Sequence, residues 1–538
     1  MGEGLDRSRV GGDRTVRRYV LAIDHGTSGI KAAIVSERGE VIDFEFEPTP
    51  IRFTDGGGAE QDPEDWWSAL LAASKRLIGR ATVPAQDVAA IGVSSTFSST
   101  VAVDRAGRHL MPSLTWMDSR GAPYVRRLLA GFPSVLGYNL PKAWQWLAKT
   151  AGVPSLSGKD DAAHVLFVKH EYPEVYEQTH VFLPSKDYLN LRLTGEIAAS
   201  YDSMHLFWVT DARDPNRICY DDQLVALLGI DRAKLPPMRA STDVLGTLTA
   251  SCADALGLEP DVKVVMGSPD HQCALVGSGA VREFEGHLYV GTSSWIECVV
   301  PFKKTDPLHS IASFPTAIPG KYQCIDEQDL AGGALAFLAD NILFRRNDLL
   351  GAPVPQHRYE IVDEIAASVP PGSHKLLFTP WLNGERTPVD DGDVRGGFHN
   401  LSTTTTLEHM VRAVLEGVAY NTRWSLRYVE RFVARRLDPL RIIGGGATSA
   451  LWCQIFADVL DREIRVVKDP MQANARGAAL IAAVGLGWIG FDDIPGMVPC
   501  AATYRPDPGH RRVYDQMFDV FVRLYRANKS IYRRLNRT

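Results

Sequence analysis

The sequence predicts an α/β protein built from two related halves, and three observations support this prediction. The N-terminal part begins with strand-like runs and then alternates between helical and strand periodicity. A strand, a Gly-Thr-Ser turn and a second strand occur near residues 24–30 and again near 287–300, which indicates an internal duplication. The length of 538 residues is enough for about two to four domains.

The first half is predicted to open with an antiparallel meander. Its strands are short apolar or alternating runs joined by two tight turns, at residues 19–24, 30–35 and 41–47. The period then changes to that of a helix, with Asp62 able to cap it and Pro63 suited to its first position. A buried strand at 88–94 and a hairpin turn at 104–108 follow.

The second half repeats the pattern of strand, turn and strand. Thr405 and Glu408 form a capping-box pattern ahead of a long amphipathic helix. We expect three further elements: a strand at 441–443, a helix at 449–460 and a C-terminal helix at 514–536.

The boundary between the halves is expected near residues 282–285. This divides the chain into a flexible tail at 1–17, an N-terminal domain at 18–283 and a C-terminal domain at 284–538. No Pro/Ser-rich linker separates the domains, so we expect them to pack together through a hinge.

Composition excludes several classes of protein. Apolar residues make up 45% and charged residues 23%, with a net charge of −6, which is unfavourable for general nucleic-acid binding. The seven cysteines lack CxxC spacing, which argues against a zinc site or a disulfide framework. The apolar stretch at 477–491 is shorter than a membrane span. We therefore expect a cytoplasmic protein without nucleic-acid or membrane partners.

Three glycine-rich turns could bind phosphate through backbone N–H groups and hydroxyls. They are Gly26-Thr27-Ser28, Gly291-Thr292-Ser293, and Gly444-Gly445-Gly446 with Ser449. Asp24 at a strand end could hold Mg²⁺ through water, and Lys31 could add a point charge. A single such turn is more commonly a plain hairpin. Neither the P-loop pattern nor GxGxxG is present, so a nicotinamide enzyme is only a weak rival.

Asp270 follows a buried run and a Gly-Ser-Pro turn, at the start of a predicted helix. One interpretation is a simple helix cap, a common role for Asp. The other is a general base that takes a proton from a hydroxyl group in a cleft.

Taken in order, these motifs resemble the FGGY family of carbohydrate kinases, with a general pattern nearest to xylulokinases, over residues 19–487. The glycine-rich turns and the Asp270 segment are similar to the family's phosphate loops, catalytic segment and adenosine motif. Residues 396–416 match a further signature, except that Asn400 stands where glycine is usual. The other matching stretches are Trp116-Met117-Asp118-Ser119-Arg120, and Ser185-Lys186-Asp187-Tyr188-Leu189 with Leu193-Thr194-Gly195.

The resemblance implies two actin-like, ribonuclease-H-like domains around a central cleft. The N-terminal domain would bind the sugar and carry Asp270 as the general base, and the C-terminal domain would bind the nucleotide. Asp24 would organise Mg²⁺. ATP would contact the three glycine-rich turns together with Lys31, Ser449 and Gln454.

The chain departs from the family where specificity is set, because Ser95-Thr96-Phe97-Ser98-Ser99 matches neither the xylulokinase nor the glycerol kinase pattern. The substrate therefore stays open among a ketose, glycerol, a tetritol and a pentitol. By position, the sugar pocket is expected to comprise Thr96, Phe97, Trp116, Asp118, Asp270 and His271. Core packing is the alternative role for Phe97 and Trp116.

Two other functions are alternatives to an ATP-dependent sugar or polyol kinase. One is a non-catalytic actin-fold ATPase, and the other is a sugar-binding regulator derived from a kinase. The presence of Asp24, Asp270 and both Gly-Thr turns favours the kinase. The oligomeric state is open, with a homodimer among the alternatives.

Overall fold

The computed structural model describes residues 18–345, 351 and 353–536. The predicted tail at 1–17 lies outside these residues. The described chain forms two α/β halves, each built on a mixed β-sheet with helices packed against it. In this part of the chain, no helix is long and apolar enough to cross a membrane.

Six strands form the central sheet of the N-terminal half. They are β1 (Tyr19–Gly26), β2 (Gly29–Ser36), β3 (Val41–Pro48), β4 (Val88–Ser95), β5 (Val244–Thr247) and β6 (Lys263–Pro269). Their order across the sheet is β5-β6-β4-β1-β2-β3. The antiparallel pairing of β1 with β2 and of β2 with β3 confirms the predicted meander, whereas β1, β4 and β6 run parallel.

Eight strands form the central sheet of the C-terminal half. They are β7 (Gly286–Val290), β8 (Ser294–Val300), β9 (Thr305–Asp306), β10 (Ile311–Pro315), β11 (Tyr322–Ile325), β12 (Leu440–Ile443), β13 (Ile464–Val467) and β14 (Cys500–Tyr504). Their order is β9-β10-β11-β8-β7-β12-β13-β14.

The two sheets repeat one topology. Strands β7, β8, β11, β12, β13 and β14 take the places of β1, β2, β3, β4, β6 and β5, in the same order and with the same relative directions. The duplication predicted from two short turns is therefore confirmed at the level of whole sheets.

Seven helices in these two halves bear on the candidate site and on the packing around it. They are α1 (Pro63–Gly79), α2 (Ser185–Thr194), α3 (Asp270–Ser278), α4 (Leu407–Val433), α5 (Ala450–Leu460), α6 (Ala473–Gly485) and α7 (Arg511–Asn536). Helix α1 begins as predicted, since Asp62 accepts a hydrogen bond from the Glu64 N–H at 2.9 Å. The predicted capping box of α4 is wrong by one residue: the cap is Thr406, and His409 closes the box.

The remaining elements complete the two halves. The helices are Ala122–Leu129, Leu140–Lys149, Asp161–Glu171, Pro173–Gln178, Asp222–Leu228, Ala250–Leu256, Gly332–Leu338, Arg358–Ala367 and Ile494–Met497. A second sheet in the N-terminal half comprises Arg52–Thr54, Gly58–Gln61, Thr100–Val103, Ser113–Leu114 and Val181–Pro184. Two-stranded ribbons pair Ser134–Val135 with Tyr138–Asn139, Ala199–Ser200 with Met238–Arg239, Thr210–Asp211 with Cys219–Tyr220, and Leu377–Thr379 with Gly397–His399.

The halves meet where α3 crosses α6. A Cβ atom on Gly277 would lie 1.8 Å from the carbonyl oxygen of Ala473, and one on Gly477 would lie 1.9 Å from that of Cys273. Gly277 thus packs against the carbonyl of the residue four positions before Gly477. In the same way, Gly477 packs against the carbonyl of the residue four positions before Gly277. Because no side chain separates them, the two backbones are in direct contact.

We predict that Gly277→Ala destabilises the protein. The added methyl group would overlap the Ala473 carbonyl, and such overpacking typically costs about 1–3 kcal/mol. The free energy of unfolding, measured by urea titration, should fall by about this amount. The matched control is Gly79→Ala in α1, where a Cβ would meet no atom within 4 Å and stability should hold or rise by up to about 1 kcal/mol. Equal stability of the Gly277 variant and the wild type would contradict the close packing.

Candidate active site

Asp270 lies at the corner where β6 ends and α3 begins. Its side chain is partly exposed, and its Oδ1 accepts a hydrogen bond from the backbone N–H of His271 at 3.0 Å. The N-cap position belongs to Pro269. The carboxylate therefore lacks the bond to an N–H two or three residues on that defines a capping side chain, and Oδ2 accepts no hydrogen bond from the described residues.

Asp24 lies at the same edge of the sheet. Strands β1 and β6 flank β4, with Asp24 in register with Ser94 and Ser94 in register with Ser268. Parallel strands present their carboxyl ends at one edge, so the side chains that follow β1 and β6 converge there. Asp24 is 3% exposed, and Lys31 Nζ lies 3.5 Å from its Oδ2.

His271 is held next to Asp270 by a buried carboxylate. Its Nδ1 pairs with Glu297 Oε1. Gln323 Nε2 donates to Glu297 Oε2 at 2.8 Å and to the His271 carbonyl at 3.2 Å. Burial opposes protonation, but the Glu297 carboxylate raises the pKa of His271 to about 9. The contact with Glu297 therefore favours the protonated, cationic form of the ring.

These charges set the protonation of Asp270. Burial raises its pKa to about 6, with the His271 cation opposing the shift and the Asp24 carboxylate adding to it. At neutral pH Asp270 is thus ionised, but its proton affinity is higher than that of an exposed Asp. This is the range in which a general base accepts a proton effectively.

Three of the predicted sugar-pocket residues contact residues that surround the edge occupied by Asp24 and Asp270. Trp116 Nε1 donates to Thr27 Oγ1 at 2.9 Å, which joins the pocket to the first glycine-rich turn. The backbone N–H of Thr96 donates to the His25 carbonyl at 3.0 Å. The Phe97 ring lies 5.6 Å from the His271 ring. The structure therefore brings Thr96, Phe97 and Trp116 to the same edge as Asp270.

Asp118 is placed differently from the other predicted pocket residues. Its side chain is fully buried and accepts hydrogen bonds from the Ala59 N–H at 3.0 Å and from the Arg120 guanidinium. Arg120 also pairs with Glu60 at 2.6 Å. These contacts give Asp118 a structural role, holding Arg120, and its assignment to the sugar pocket stays a prediction.

The first two Gly-Thr-Ser turns occupy equivalent places. Residues Thr27 and Ser28 join β1 to β2, and Gln61 Nε2 braces the turn through the Thr27 carbonyl at 3.0 Å. The turn at 291–293 joins β7 to β8, and its carbonyls accept from the N–H groups of Gly332 and Gly333 at 2.8 and 3.0 Å.

The third turn follows β12 and leads into α5. Gly444 has a φ of 89°, a conformation that favours glycine, and a Cβ on it would lie 2.6 Å from the Val290 carbonyl. A Cβ on Gly445 would meet no atom within 4 Å, so this position is open to a ligand. Ser449 caps α5 and donates to Asp363 at 2.8 Å.

The side-chain hydrogen bonds of Gln454 are made to residues outside the third turn. Its Nε2 donates to Asp458 Oδ1 at 2.8 Å and to the Arg505 carbonyl at 2.9 Å. With Arg412 and His510, it lines a cavity of about 470 Å³. Its contact with ATP stays a prediction.

Several functional candidates were missed in the sequence. Glu327 raises the pKa of both Asp270 and His271, and it pairs with Arg386. Glu297 could have been noticed, because a charged residue in the apolar strand run at 294–300 is unusual unless it is paired. Glu327 and Arg386 carry no such signal, since they lie in loops.

The donor set is compatible with Mg²⁺ bound mainly through a nucleotide. Among the described residues, no group of three or more His, Cys, Asp or Glu could hold a metal. Mg²⁺ usually binds one or two carboxylates and completes its shell with phosphates and water. Asp24 supplies such a carboxylate next to the first glycine-rich turn.

Two related α/β halves carry glycine-rich turns and a pair of carboxylates, Asp24 and Asp270, at one sheet edge, which we call the acidic corner. This arrangement agrees with the resemblance to carbohydrate kinases. The model "FGGY family of carbohydrate kinases, N-terminal domain" matches residues 19–277, and the C-terminal domain model matches 287–486. The chain belongs to the FGGY family of carbohydrate kinases.

Individual relatives agree with this assignment. A xylulose kinase from Staphylococcus epidermidis is 29% identical over 527 residues, covering 96% of this chain and 98% of the relative. A gluconokinase from Bacillus subtilis is 26% identical, covering 96% and 97%. The crystal structure of xylulose kinase from Rhodospirillum rubrum is 27% identical with a TM-score of 0.80, covering 96% of this chain and 100% of that one.

We predict that Gly445→Asp weakens ATP binding by about tenfold or more. The side chain would fit without a clash but would place a negative charge where phosphates approach, and like charges repel. Isothermal titration with ATP measures the effect. Gly445→Ala is the matched control and should bind ATP as the wild type does. Wild-type affinity in the Asp variant would remove this turn from the nucleotide site.

We also predict that Glu297→Gln moves the acid limb of the pH–rate profile upward. In the wild type, kcat/KM should fall as the pH drops through about 6, because Asp270 then gains a proton. Without the Glu297 carboxylate, His271 loses the partner that keeps it charged, and Asp270 loses a stabilising cation. An unshifted limb in a variant with wild-type melting temperature would show that Glu297 does not tune Asp270.

Proposed function

We propose that this protein transfers the γ-phosphoryl group of ATP to a hydroxyl of a sugar or polyol, with Asp270 as the general base. The observation that carries the proposal is the position of the Asp270 carboxylate. It lies at the edge shared with Asp24, close enough for Asp24 and Glu327 to raise its pKa, and it retains an oxygen with no hydrogen-bond donor among the described residues.

The chemistry follows from these positions. Asp270 accepts the proton of the substrate hydroxyl as its oxygen attacks the γ-phosphorus, while the bond to the β-phosphate oxygen breaks and ADP leaves. Mg²⁺, held by Asp24 through water, would neutralise charge on the phosphates. The turns at 26–28 and 291–293 would orient the β- and γ-phosphates. Phosphoryl transfer depends mainly on such positioning and charge stabilisation.

The substrate pocket combines a cation with aromatic surfaces. The His271 ring stacks on Trp295 with centroids 4.3 Å apart, and the tilted Phe97 ring lies 5.6 Å from it. Aromatic faces pack against the C–H faces of a sugar, while Asp270 and protonated His271 hydrogen-bond to hydroxyls. A coupled ADP assay with xylulose, gluconate, glycerol, tetritols and pentitols would identify the preferred acceptor.

The proposal includes a cytoplasmic location and leaves a homodimer open. All seven cysteines are free thiols, and five of them are buried, as expected of a protein from a reducing compartment. A non-catalytic ATPase or a sugar-binding regulator would not need a carboxylate at the acidic corner whose pKa is raised to about 6.

We predict that Asp270→Asn lowers kcat by about 10²–10⁴-fold, the usual contribution of a positioned base. Asn retains the oxygen that accepts from the His271 N–H but cannot take a proton. Sugar and ATP should still bind, as titration calorimetry can show. The experiment measures kcat on the best acceptor together with the melting temperature.

The matched control is Asp222→Asn, which removes a carboxylate from the first residue of another helix, Asp222–Leu228, at an exposed position. It should keep wild-type kcat. If Asp270→Asn also kept it, Asp270 would not be the general base. If the wild type produced no ADP with any of these acceptors, the kinase proposal itself would be wrong.

A further inference from the structure

A second concave site lies in the C-terminal half, built from residues outside the candidate active site. It is a cavity of about 480 Å³ at the junction of α4, the end of α5 and the start of α7. We call it the arginine cavity, because five arginines line it: Arg423, Arg427, Arg436, Arg462 and Arg511. Its volume is within the roughly 300–1,000 Å³ of sites that bind small molecules.

The carboxylates of the arginine cavity do not balance its cations. Three acidic side chains line it: Glu430, Asp461 and Asp515. Arg462 pairs with Glu430. Asp515 pairs with Arg423 and Arg511. Asp461 pairs with Arg436 and Arg511. Arg436 also pairs with Asp438, which lies outside the cavity lining. Five cations against these four anions leave one positive charge in excess in a concave surface.

Arg427 carries this excess, and Arg423 lies next to it. No carboxylate of the described residues pairs with Arg427, whose guanidinium lies 5.5 Å from the centroid of the Phe518 ring. Arg423 lies 4.4 Å from the same ring. One of its nitrogens, Nη1, is buried without a hydrogen-bond partner. An unpaired buried donor is costly, and a bound acceptor would remove that cost.

The electrostatics at Arg423 agree with this geometry. Burial lowers the pKa of Arg423, and the nearby Arg511 and Arg427 cations add to the shift despite the Asp515 carboxylate. Like charges crowded in a concave surface attract an anion. The floor of the cavity is apolar, formed by Leu426, Leu460 and the Phe518 ring, and could contact the organic part of a ligand.

We propose that the arginine cavity binds a small phosphorylated metabolite through its phosphate monoester group. Guanidinium groups match the geometry of phosphate oxygens and bind them in pairs. Arg427 and Arg423 Nη1 would contact the phosphate, and the Phe518 ring and the two leucines would contact the carbon skeleton. Because none of these residues belongs to the acidic corner, the site is independent of phosphoryl transfer at Asp270.

The test is titration calorimetry with the full-length protein in saturating ADP and Mg²⁺, which fill the nucleotide site. The probes are inorganic phosphate, ribose 5-phosphate and ribose. We expect both phosphates to bind and ribose not to bind. Tighter binding of ribose 5-phosphate than of phosphate would support contact with the apolar floor as well.

Two variants assign the binding to this cavity. Arg427→Met should weaken phosphate binding by about tenfold or more, and Arg427→Glu should abolish it, since Arg427 is exposed and its loss breaks no ion pair. Arg431→Met, one turn further along α4, is the matched control and should bind as the wild type does. Absence of phosphate binding up to 10 mM, or equal binding by the wild type and both Arg427 variants, would overturn the proposal.

Discussion

The backbone contact between α3 and α6 is the constraint on which the rest of the site depends. Asp270 is the first residue of α3, and Gly277, two turns later, touches the backbone of α6. Helix α6 also packs on the N-terminal sheet, because a Cβ on Gly92 of β4 would lie 2.5 Å from the Ala478 carbonyl. The position of Asp270 is therefore fixed by the same contact that joins the two halves.

This arrangement brings two acidic groups together in a poorly solvated corner. Two carboxylates at one sheet edge repel each other, and burial disfavours both of their charges. The His271 cation offsets part of this cost, and it stays charged because Glu297 is buried against it. The proton affinity of Asp270 thus depends on Glu297, a buried carboxylate contributed by β8 of the other half. A change in the distance between the halves would alter the proton affinity of Asp270.

The sequence was informative where chemistry is encoded locally. Asp24, Asp270 and the glycine-rich turns could be predicted because each lies at a strand end within one short motif. Asn400 is another position where the local sequence is informative. Its φ of 69° is the left-handed conformation in which Asn can replace Gly. The cap of α4 was misplaced because several successive threonines, residues 403–406, have equal capping chemistry. Glu327 and Arg386 could not be found, because only the tertiary fold brings their loops to the acidic corner.

The duplicated scaffold assigns different chemistry to its two equivalent hairpins. In the first hairpin, Asp24 of β1 lies directly opposite Lys31 of β2, so a carboxylate and an amine face each other next to the turn. In the second, Tyr289 lies opposite Trp295, and the rings stack with centroids 3.8 Å apart. The first turn is therefore suited to a metal and phosphate charge. In the second hairpin, Trp295 also stacks on the His271 ring, so this hairpin supports the residue next to Asp270. Duplication supplied two similar turns, and the residues opposite each other across each hairpin determine what each turn can do.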